Sequence, residues 1–378
     1  MGYDYRYLKP KEAERLKMSV AKVGLDDRKL GYRRIENAVV APGKCSGGVF
    51  ADGKLVEGTR MHRLIRDVTE IPEPKYFCEE TVIFLGVFHA CWGHAISDCL
   101  KHLWFLVEGL PPEYEGLSLV YTTQEVGETL PENFFVALKL LGVDVSAARR
   151  VDTPTCFTHC IVPDECFLAQ EDDFAWAYPG VGLRVPHPEY VGLIDRIIER
   201  SGAVPNGKPT RKVYFSRTNF RRWEYGEDVV EKAFAEKGFD IVHPEELSLP
   251  QMISVLNETA VFAATEGSCA HNAIFLRQGA KAIIIRKTNY TNWHQLTFNF
   301  LRQLDVTYVR SAISPAFLRY ESDAPSQGPF FIYVNSRLAT LLGVRSCFPI
   351  RIFVRYLCWS VTLHWGHLIF SALRRLRH

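Results

Sequence analysis

The sequence lacks several features that mark common classes of protein. Its formal net charge is only +2 over 378 residues, so charge predicts neither a nucleic-acid partner nor an acidic one. The chain has 10 cysteines but no C-x-x-C pair, which argues against a structural zinc site. Residues 1–17 contain no apolar run of the kind found in secretory signals, so we expect a cytoplasmic protein with reduced thiols.

Acidic residues are missing from the end of the chain. After Asp323 the charged side chains are seven arginines, and 18 uncharged residues separate Arg355 from Arg374. That run is at the lower edge of a membrane-spanning length, and histidines and a glycine interrupt it. Aromatic residues beside arginines favour a segment that lies on an anionic membrane surface, with a buried closing helix and a true span as alternatives. We therefore predict a cationic amphipathic tail over 345–378.

The chain also lacks internal repeats and low-complexity segments. Its composition, with 47% hydrophobic and 23% charged residues, is typical of a soluble globular protein, and its length favours two domains. The segment AVPNGKPTR is the best candidate for a linker. We predict an N-terminal α/β domain over 1–203, which starts with a β-meander at 33–60, and a C-terminal domain over 204–344.

Strand-like and helix-like segments alternate after the linker. KVYFSR, FDIVHP, TAVFAA, KAIIIR and DVTYV have the composition of strands, and helical segments of about 10–15 residues separate them. Such alternation predicts a doubly wound parallel sheet, which binds ligands outside the carboxyl ends of its strands. In the N-terminal half, 82–88 is predicted as a buried strand and 92–110 as a helix.

The segment TEGSCAHN follows the TAVFAA strand. Small residues ahead of a helix leave backbone N–H groups open to a ligand, and the helix dipole favours an anion there. Gly267 and Ser268 are therefore candidate phosphate contacts, and Glu266 is a candidate for sugar or ribose hydroxyls. The alternatives are a turn capped by Glu266, with His271 and Asn272 as satisfied polar groups.

A basic group follows the KVYFSR strand. Arg217 ends the strand, and Arg221 and Arg222 follow it, with Glu224 close behind. Guanidinium groups match phosphate oxygens in a bidentate way, so these arginines and the loop at Gly267 together suit a diphosphate. The alternative is a solvated basic loop whose arginines pair with Glu224 and neighbouring acids.

A third group follows the buried strand VIFLGVF and consists of His89, Trp92, Gly93, His94 and Asp98. His94 and Asp98 are four residues apart and would share one face of a helix. A carboxylate beside an imidazole raises its basicity and fixes its orientation, as a general base requires. The alternative is a buried structural histidine that Asp98 satisfies.

A metal site is a weaker interpretation of these histidines. His89, His94, Asp98 and His102 are possible ligands, but no HExxH motif and no DxD-like acidic pair accompanies them. We therefore expect no metal.

Three motifs together resemble the family 61 glycosyltransferases, often labelled capsular-polysaccharide-biosynthesis proteins, over about residues 33–310. The first is a Trp-Gly-His-x-x-x-Asp helix start, and the second is a Ser-Arg strand end with an arginine-rich loop and an acid. The third is a Gly-small-x-x-Asn turn that continues to Phe. Their residues here are Trp92, Gly93, His94 and Asp98; Ser216, Arg217, Arg222 and Glu224; and Gly267, Ser268, Asn272 and Phe275.

The resemblance implies a GT-B enzyme in which two Rossmann-like domains face a cleft. It would move a sugar, with inversion, from a nucleotide-sugar donor to a saccharide or lipid-linked acceptor in surface polysaccharide assembly, without a metal at the diphosphate. The implied donor-binding residues are Arg217, Arg222, Glu224, Glu266, Gly267, Ser268, His271 and Asn272. His94 oriented by Asp98, or Asp98 itself, would be the base, with His89, Trp92 and Gly93 on the acceptor side.

One departure from the family pattern concerns the residue before Gly267. Many members have a histidine there, whereas this chain has Glu266 and a histidine at 271, which suggests a different sugar or donor subgroup. Two other classes stay open. A pyruvyl or phosphate transferase of surface polysaccharides would ignore nucleotide sugars, and a non-catalytic sugar- or nucleotide-binding subunit at a membrane would tolerate His94→Ala and Asp98→Ala.

Overall fold

The structure is a computed structural model, and it describes most of the chain. The described residues are 1–43, 47–61, 71–144, 147–170, 182–203, 207–220, 224–288, 291–313 and 330–375, with side chains up to 362 in the last segment.

The described residues form eighteen strands and eleven α-helices. The strands are β1 (Gly2–Tyr7), β2 (Tyr32–Ala41), β3 (Gly48–Ala51), β4 (Lys54–Leu55), β5 (Tyr76–Phe88), β6 (Ser118–Thr123), β7 (Arg149–Arg150), β8 (Thr155–Pro163), β9 (Phe167–Gln170), β10 (Leu183–Pro186), β11 (Arg211–Phe215), β12 (Glu224–Tyr225), β13 (Asp240–Val242), β14 (Thr259–Thr265), β15 (Lys281–Arg286), β16 (Asp305–Arg310), β17 (Ala312–Ile313) and β18 (Phe330–Ile332). The helices are α1 (Pro10–Val20), α2 (Trp92–Ala95), α3 (Phe105–Glu108), α4 (Glu132–Leu141), α5 (Pro188–Arg200), α6 (Glu227–Ala235), α7 (Leu249–Asn257), α8 (Ser268–His271), α9 (Trp293–Leu301), α10 (Ser336–Leu342) and α11 (Ile350–Arg375). Short 3-10 turns cover Pro112–Tyr114, Pro244–Glu246 and Asn272–Phe275.

The N-terminal half is built on a sheet in the order β4-β3-β2-β8-β5-β6-β7. Strands β2, β3 and β4 pair antiparallel, which confirms the β-meander predicted at 33–60. Strand β5 pairs parallel with both β6 and β8, and its residues from Val82 to Phe88 are all buried, as its unbroken apolar sequence predicts. His89 therefore directly follows the carboxyl end of a strand in the interior of the sheet.

The C-terminal half is built on an entirely parallel sheet in the order β1-β16-β15-β14-β11-β13. Helices α6 and α10 pack on one face, and α7 and α9 pack on the other, so the α/β fold predicted from the alternation is confirmed. The chain moves outward in opposite directions from β11, to β13 on one side and β14 on the other. Ligand sites of such sheets form at the carboxyl ends of neighbouring strands whose connections run in opposite directions.

The first strand belongs to the C-terminal sheet. Strand β1 pairs parallel with β16, with Gly2 opposite Asp305, although the sequence pattern assigns residues 1–203 to the N-terminal domain. In addition, one cluster of buried apolar side chains includes Phe88 and Leu100 from the first half and Phe215 and Ala264 from the second. The two sheets therefore share a core. The domain boundaries and the GT-B arrangement stay predictions.

The helix predicted over 92–110 is wrong as a single element. It is present only as α2 and α3, and hydrogen-bonded turns connect them. All nine residues from 96 to 104 are buried, including four polar ones, so the segment has no solvent-facing side. These polar side chains form hydrogen bonds with partners on several sides, such as Arg60 and Glu165 for Lys101. A regular amphipathic helix would instead direct its polar side chains to one solvent-facing side.

The predicted tail is a 26-residue helix, α11, whose first turns pack on the protein. Tyr356 is fully buried, and its ring and that of Trp359 each lie 5.6 Å from the ring of Tyr225. Within the ranges that the structure describes, no helix is both long and apolar enough to cross a membrane.

Candidate active site

Asp98 lies at the centre of a buried polar cluster. Its Oδ2 is 2.7 Å from Nδ1 of His94 and 3.1 Å from Nε2 of His294, and its Oδ1 is 3.5 Å from Nε of Arg184. The hydroxyl of Ser97 also donates to Oδ2. The carboxylate of Asp98 thus contacts the imidazole rings of His94 and His294 and the guanidinium group of Arg184.

Elements from both halves of the chain bring these side chains together. His94 lies in α2, just after β5, and Arg184 lies in β10. His294 is the second residue of α9, which begins there because the Asn292 side chain accepts a hydrogen bond from the backbone N–H of Gln295. His94 and Asp98 meet as their spacing predicts, even though α2 ends between them.

The charge states in this cluster follow from burial and from the neighbouring groups. Burial opposes ionisation of Asp98, but the charges that His294 and Arg184 can carry, together with hydrogen bonds from His294 and His94, outweigh it and hold the pKa of Asp98 well below its usual value. Burial, only partly offset by Asp98, lowers the pKa of His294 to about 4. At neutral pH, Asp98 is therefore an anion and His294 an uncharged ring.

His94 is the member of the cluster that faces outward. Its side chain is 29% exposed, against 4% for Asp98. When Nδ1–H donates to the carboxylate, the lone pair of the ring lies on Nε2, and the hydrogen bond to Asp98 fixes the orientation of the ring. The pair is therefore organised to accept a proton from a substrate hydroxyl.

The second predicted group, at Gly267, lies directly against this cluster. Trp92 Nε1 donates to Asn272 Oδ1 at 2.8 Å, and the thiol of Cys91 is 3.5 Å from the hydroxyl of Ser268. A β-carbon on Gly93 would lie 2.7 Å from that hydroxyl oxygen, so a side chain is not accommodated at Gly93. The structure therefore unites two motifs that are far apart in the sequence.

His271 has a structural position. Its Nε2 is 3.2 Å from Oδ1 of Asn292, and burial lowers its pKa to about 3. Within the part of the chain that the structure describes, its Nδ1 has no hydrogen-bond partner, and it faces Gly93, whose β-carbon would lie 2.8 Å away. This supports the alternative in which His271 packs inside the protein.

Arg217 forms a second polar cluster with a lysine that the sequence analysis did not select. Nη1 of Arg217 and Nζ of Lys287 donate to the same oxygen, Oε1 of Glu224, at 2.7 and 2.6 Å. Lys287 directly follows β15, and its Nζ would be 3.7 Å from a β-carbon on Gly267. The predicted residues Arg217, Glu224 and Gly267 are thus brought together, and Arg222 lies outside the described residues.

Gly267 and Ser268 connect the two clusters, because Gly267 faces Lys287 and Ser268 faces Gly93. Gly267 has φ +123°, a conformation that favours glycine. The predicted helix after it is shorter than expected, since α8 is one turn that continues as a 3-10 turn. Positive charge at this loop therefore comes mainly from side chains, since so short a helix has little dipole.

Glu266 is buried beside cationic groups. Its side chain is 2% exposed and lies 3.6 Å from Nε of Arg286, and its Oε2 accepts a hydrogen bond from the backbone N–H of Lys287. Burial raises its pKa, although the neighbouring cations oppose this. A contact with sugar hydroxyls is not supported.

His89 has a partner of its own. Its Nδ1 is 2.5 Å from Oε1 of Glu128, which also accepts a hydrogen bond from the backbone N–H of Ala90. The His89 ring lies 5.6 Å from the ring of His94, so it borders the Asp98 cluster. A position beside the acceptor is consistent with this location.

The structure assembles a different possible metal-ligand set from the one in the sequence. Ligand atoms of His94, Asp98 and His294 lie within 4.8 Å of one another. However, Nε of Arg184 is 3.2 Å from Nε2 of His294, and its positive charge opposes a cation there. His102 is not part of the set, because its two ring nitrogens lie against the carbonyl oxygens of Pro163 and Gly58.

The comparison with known families decides the identity. The family model described as Glycosyltransferase 61 matches residues 92–283, just over half of the chain. The chain belongs to the family 61 glycosyltransferases. No curated protein matches it.

The matched part of this glycosyltransferase begins at Trp92, where the first motif begins, and ends inside β15. It contains His94, Asp98 and Arg217 together with the Gly267 loop. Lys287 and His294 lie a few residues beyond it. The signal that could have found them is their position, because both follow the strand next to the one that carries the Gly267 motif.

Proposed function

We propose that this glycosyltransferase transfers a sugar, with inversion, from a nucleotide-sugar donor to a saccharide or lipid-linked saccharide acceptor in surface polysaccharide assembly. One observation carries the proposal. A histidine–carboxylate pair, His94 with Asp98, and a pair of cations, Arg217 with Lys287, lie on either side of the consecutive residues Gly267 and Ser268. A base and an anion site are the two functions that such a transfer needs.

The proposed reaction is a single displacement. His94 Nε2 accepts the proton of an acceptor hydroxyl, whose oxygen forms the new bond to the anomeric carbon. The bond from that carbon to the donor phosphate breaks on the opposite side, and the nucleoside diphosphate leaves with the electron pair. Asp98 orients His94 and stabilises the imidazolium ion that forms, with Asp98 itself as the alternative base.

The proposed fold type is GT-B, without a metal at the diphosphate. The contacts between the carboxyl end of β5, at Cys91 to Gly93, and that of β14, at Ser268, support an arrangement in which two sheets direct their ligand-binding ends at a common site. Arg217 would neutralise the leaving diphosphate in place of a divalent cation.

The proposed place of action is the cytoplasmic face of a membrane with anionic lipids. Ile350, Val354 and Val361 are exposed apolar residues on α11, and Arg351 and Arg355 are exposed beside them. An apolar stripe flanked by arginines is typical of a helix that lies in the interface of an anionic bilayer. Because the first turns of α11 pack on the protein, membrane binding by the exposed face of this helix would hold the whole enzyme at the membrane surface.

Thermal unfolding with a panel of nucleoside diphosphates and nucleotide sugars tests the proposal. A ligand that binds only the native state raises the melting temperature, so one nucleoside diphosphate and its sugar conjugates should stand out. Turnover of that donor should then give product of inverted anomeric configuration by NMR. Retained configuration would contradict the single displacement, and no stabilisation by any nucleotide at millimolar concentration would contradict the donor class.

A further inference from the structure

We propose that Lys287 is the second cation of the site for the donor diphosphate, and that Glu224 holds it together with Arg217. The inference rests on the proposed function, since it assumes a donor that carries a diphosphate. Arg217 would contact the phosphates, and Lys287 would add positive charge from behind it.

Lys287 is a fully buried lysine, which is rare because an ammonium group is strongly hydrated. Its side chain has no exposed surface, although burial of an ammonium group costs free energy unless it is paired. Among the described residues, its ammonium group contacts the carboxylate of Glu224, lies 5.0 Å from the ring centre of Phe330, and would lie 3.7 Å from a β-carbon on Gly267. Glu224 and the ring of Phe330 stabilise the positive charge. The proximity of Gly267 places this charge at the loop of the third family motif.

The charge balance of the cluster favours an anion. Arg217 and Lys287 share one oxygen of one carboxylate. Glu227 accepts a hydrogen bond from the backbone N–H of Arg217, but burial and Glu224 raise its pKa to about 8, so it is mostly protonated at neutral pH. Among the described residues of this cluster, Arg217 and Lys287 thus share the single negative charge of Glu224, and low polarity strengthens the effect of the remaining positive charge on a nearby phosphate.

The small sheet of β12, β18 and β17 fixes this geometry. Glu224 pairs with Phe330, and Tyr225 pairs with Phe331. Because successive side chains of a strand point to opposite faces, Glu224 and Phe330 face Lys287 while Tyr225 and Phe331 face α11. The carboxylate is therefore held on a strand and is not a mobile surface group.

Arg217 is the partly exposed member of this cluster. Its side chain is 22% exposed, whereas that of Glu224 is 4% exposed. An approaching diphosphate would therefore meet the guanidinium group first. Lys287, which donates to the same oxygen of Glu224, would keep this carboxylate from neutralising Arg217 completely.

The test measures binding of inorganic pyrophosphate, nucleoside diphosphates and the matching nucleosides by calorimetry. Lys287→Met should weaken binding of the phosphate-containing ligands by about tenfold and leave nucleoside binding unchanged. Lys287→Arg should restore most of the affinity. Lys281→Met, an exposed lysine at the start of the same strand, is the matched control and should have no effect.

A second variant separates an electrostatic role from a merely structural one. Glu224→Gln keeps an oxygen that accepts from both cations but removes the negative charge, so pyrophosphate should bind about threefold to tenfold more tightly. Weaker or unchanged binding in folded Glu224→Gln would contradict the proposal. This variant also decides the question if Lys287→Met does not fold.

The outcomes distinguish this inference from the proposed function. If the wild-type protein binds pyrophosphate but no nucleoside diphosphate, and the two variants change pyrophosphate binding as expected, the anion site stands and the donor class is wrong. If nucleoside diphosphates bind and folded Lys287→Met binds them with wild-type affinity, the donor class stands and the role of Lys287 is wrong. Failure of the wild-type protein to bind either ligand overturns both.

Discussion

Gly93 and Ser268 approach so closely that a β-carbon on Gly93 would lie 2.7 Å from the Ser268 hydroxyl oxygen. The two residues come from different halves of the chain, and each belongs to one of the motifs that define the candidate site. Their contact determines how His94, the proposed general base, is placed relative to the Gly267 loop. It also explains why the residue before His94 is a glycine although its backbone conformation does not require one.

Gly93→Ala should therefore separate the two motifs. The added methyl group must displace Ser268 or the ring of His271, which should lower the free energy of unfolding by about 1–3 kcal/mol and reduce turnover more than this loss of stability explains. Chemical denaturation and kinetics would be measured together. Gly24→Ala is the control, because a β-carbon there would have no heavy atom of the described residues within 4 Å, apart from its own chain neighbours. Equal activity in both variants would show that the contact has no role in catalysis.

Asp98→Asn should slow turnover by about 10²–10⁴-fold and leave donor affinity nearly unchanged. The amide cannot orient the His94 ring in the same way or stabilise an imidazolium ion, but Asp98 does not belong to the Arg217 cluster. The measurement is kcat together with the dissociation constant of the donor nucleotide. A collapse of donor affinity in a folded variant would contradict separate base and anion sites.

Chelation should leave the activity unchanged. His94, Asp98 and His294 provide three possible ligands, but Arg184 supplies positive charge at the point where an ion would lie. The enzyme would be assayed after dialysis against EDTA, with and without added Zn²⁺ or Mn²⁺. Loss of activity that one of these ions restores would instead establish this group as a metal site.

Acid should destabilise the protein through its buried histidines. Burial lowers the pKa of His102 and His294 to about 4 and that of His271 to about 3. The unfolded chain binds these protons near pH 6.5 and the native state does not, so each histidine contributes a loss of stability of up to about 1.4 kcal/mol per pH unit as pH falls from 6.5 towards 4.

Urea unfolding at several pH values between 7 and 5 measures this loss. His102 is the residue to replace, because it lies away from the Asp98 cluster. His102→Gln should reduce the slope of stability against pH by about one proton's contribution. Parallel slopes for the variant and the wild type would mean that His102 is protonated in the native state.

The tail should bind anionic vesicles through its exposed face. Arg351→Glu combined with Arg355→Glu should weaken binding to vesicles that contain phosphatidylserine, and more strongly at low salt. The fold should be retained, since both side chains are exposed. Truncation after residue 344 should behave differently and lower the melting temperature, because it removes the buried Tyr356. Unchanged vesicle binding in the double variant would leave α11 as a packing element only.

Local sequence patterns predicted the parts of the fold that depend on local physics. The parallel strands around Phe215 and Ala264 are continuous apolar runs, and the meander after Tyr32 is interrupted by turn residues. His94 and Asp98 could be paired because they are four residues apart. In each case the residues that determine the structure are close together in the sequence.

The rest depends on contacts between remote segments. Arg184, Lys287 and His294 bind partners that are far from them in the sequence, and no local pattern specifies those contacts. The segment 96–104 has helical periodicity, but complete burial gives its polar residues partners in several directions. Glu266 was assigned to a ligand because it stands beside Gly267, whereas the structure pairs it with Arg286.

The pairing of β1 with β16 has a consequence for how the chain is made. Residues 2–7 leave the ribosome long before their partner strand at 305–310 is synthesised. Until then the first strand has no sheet to join and remains an open edge, which favours pairing with other chains. Since contacts between distant segments slow folding, β1 is expected to be among the last strands to pair.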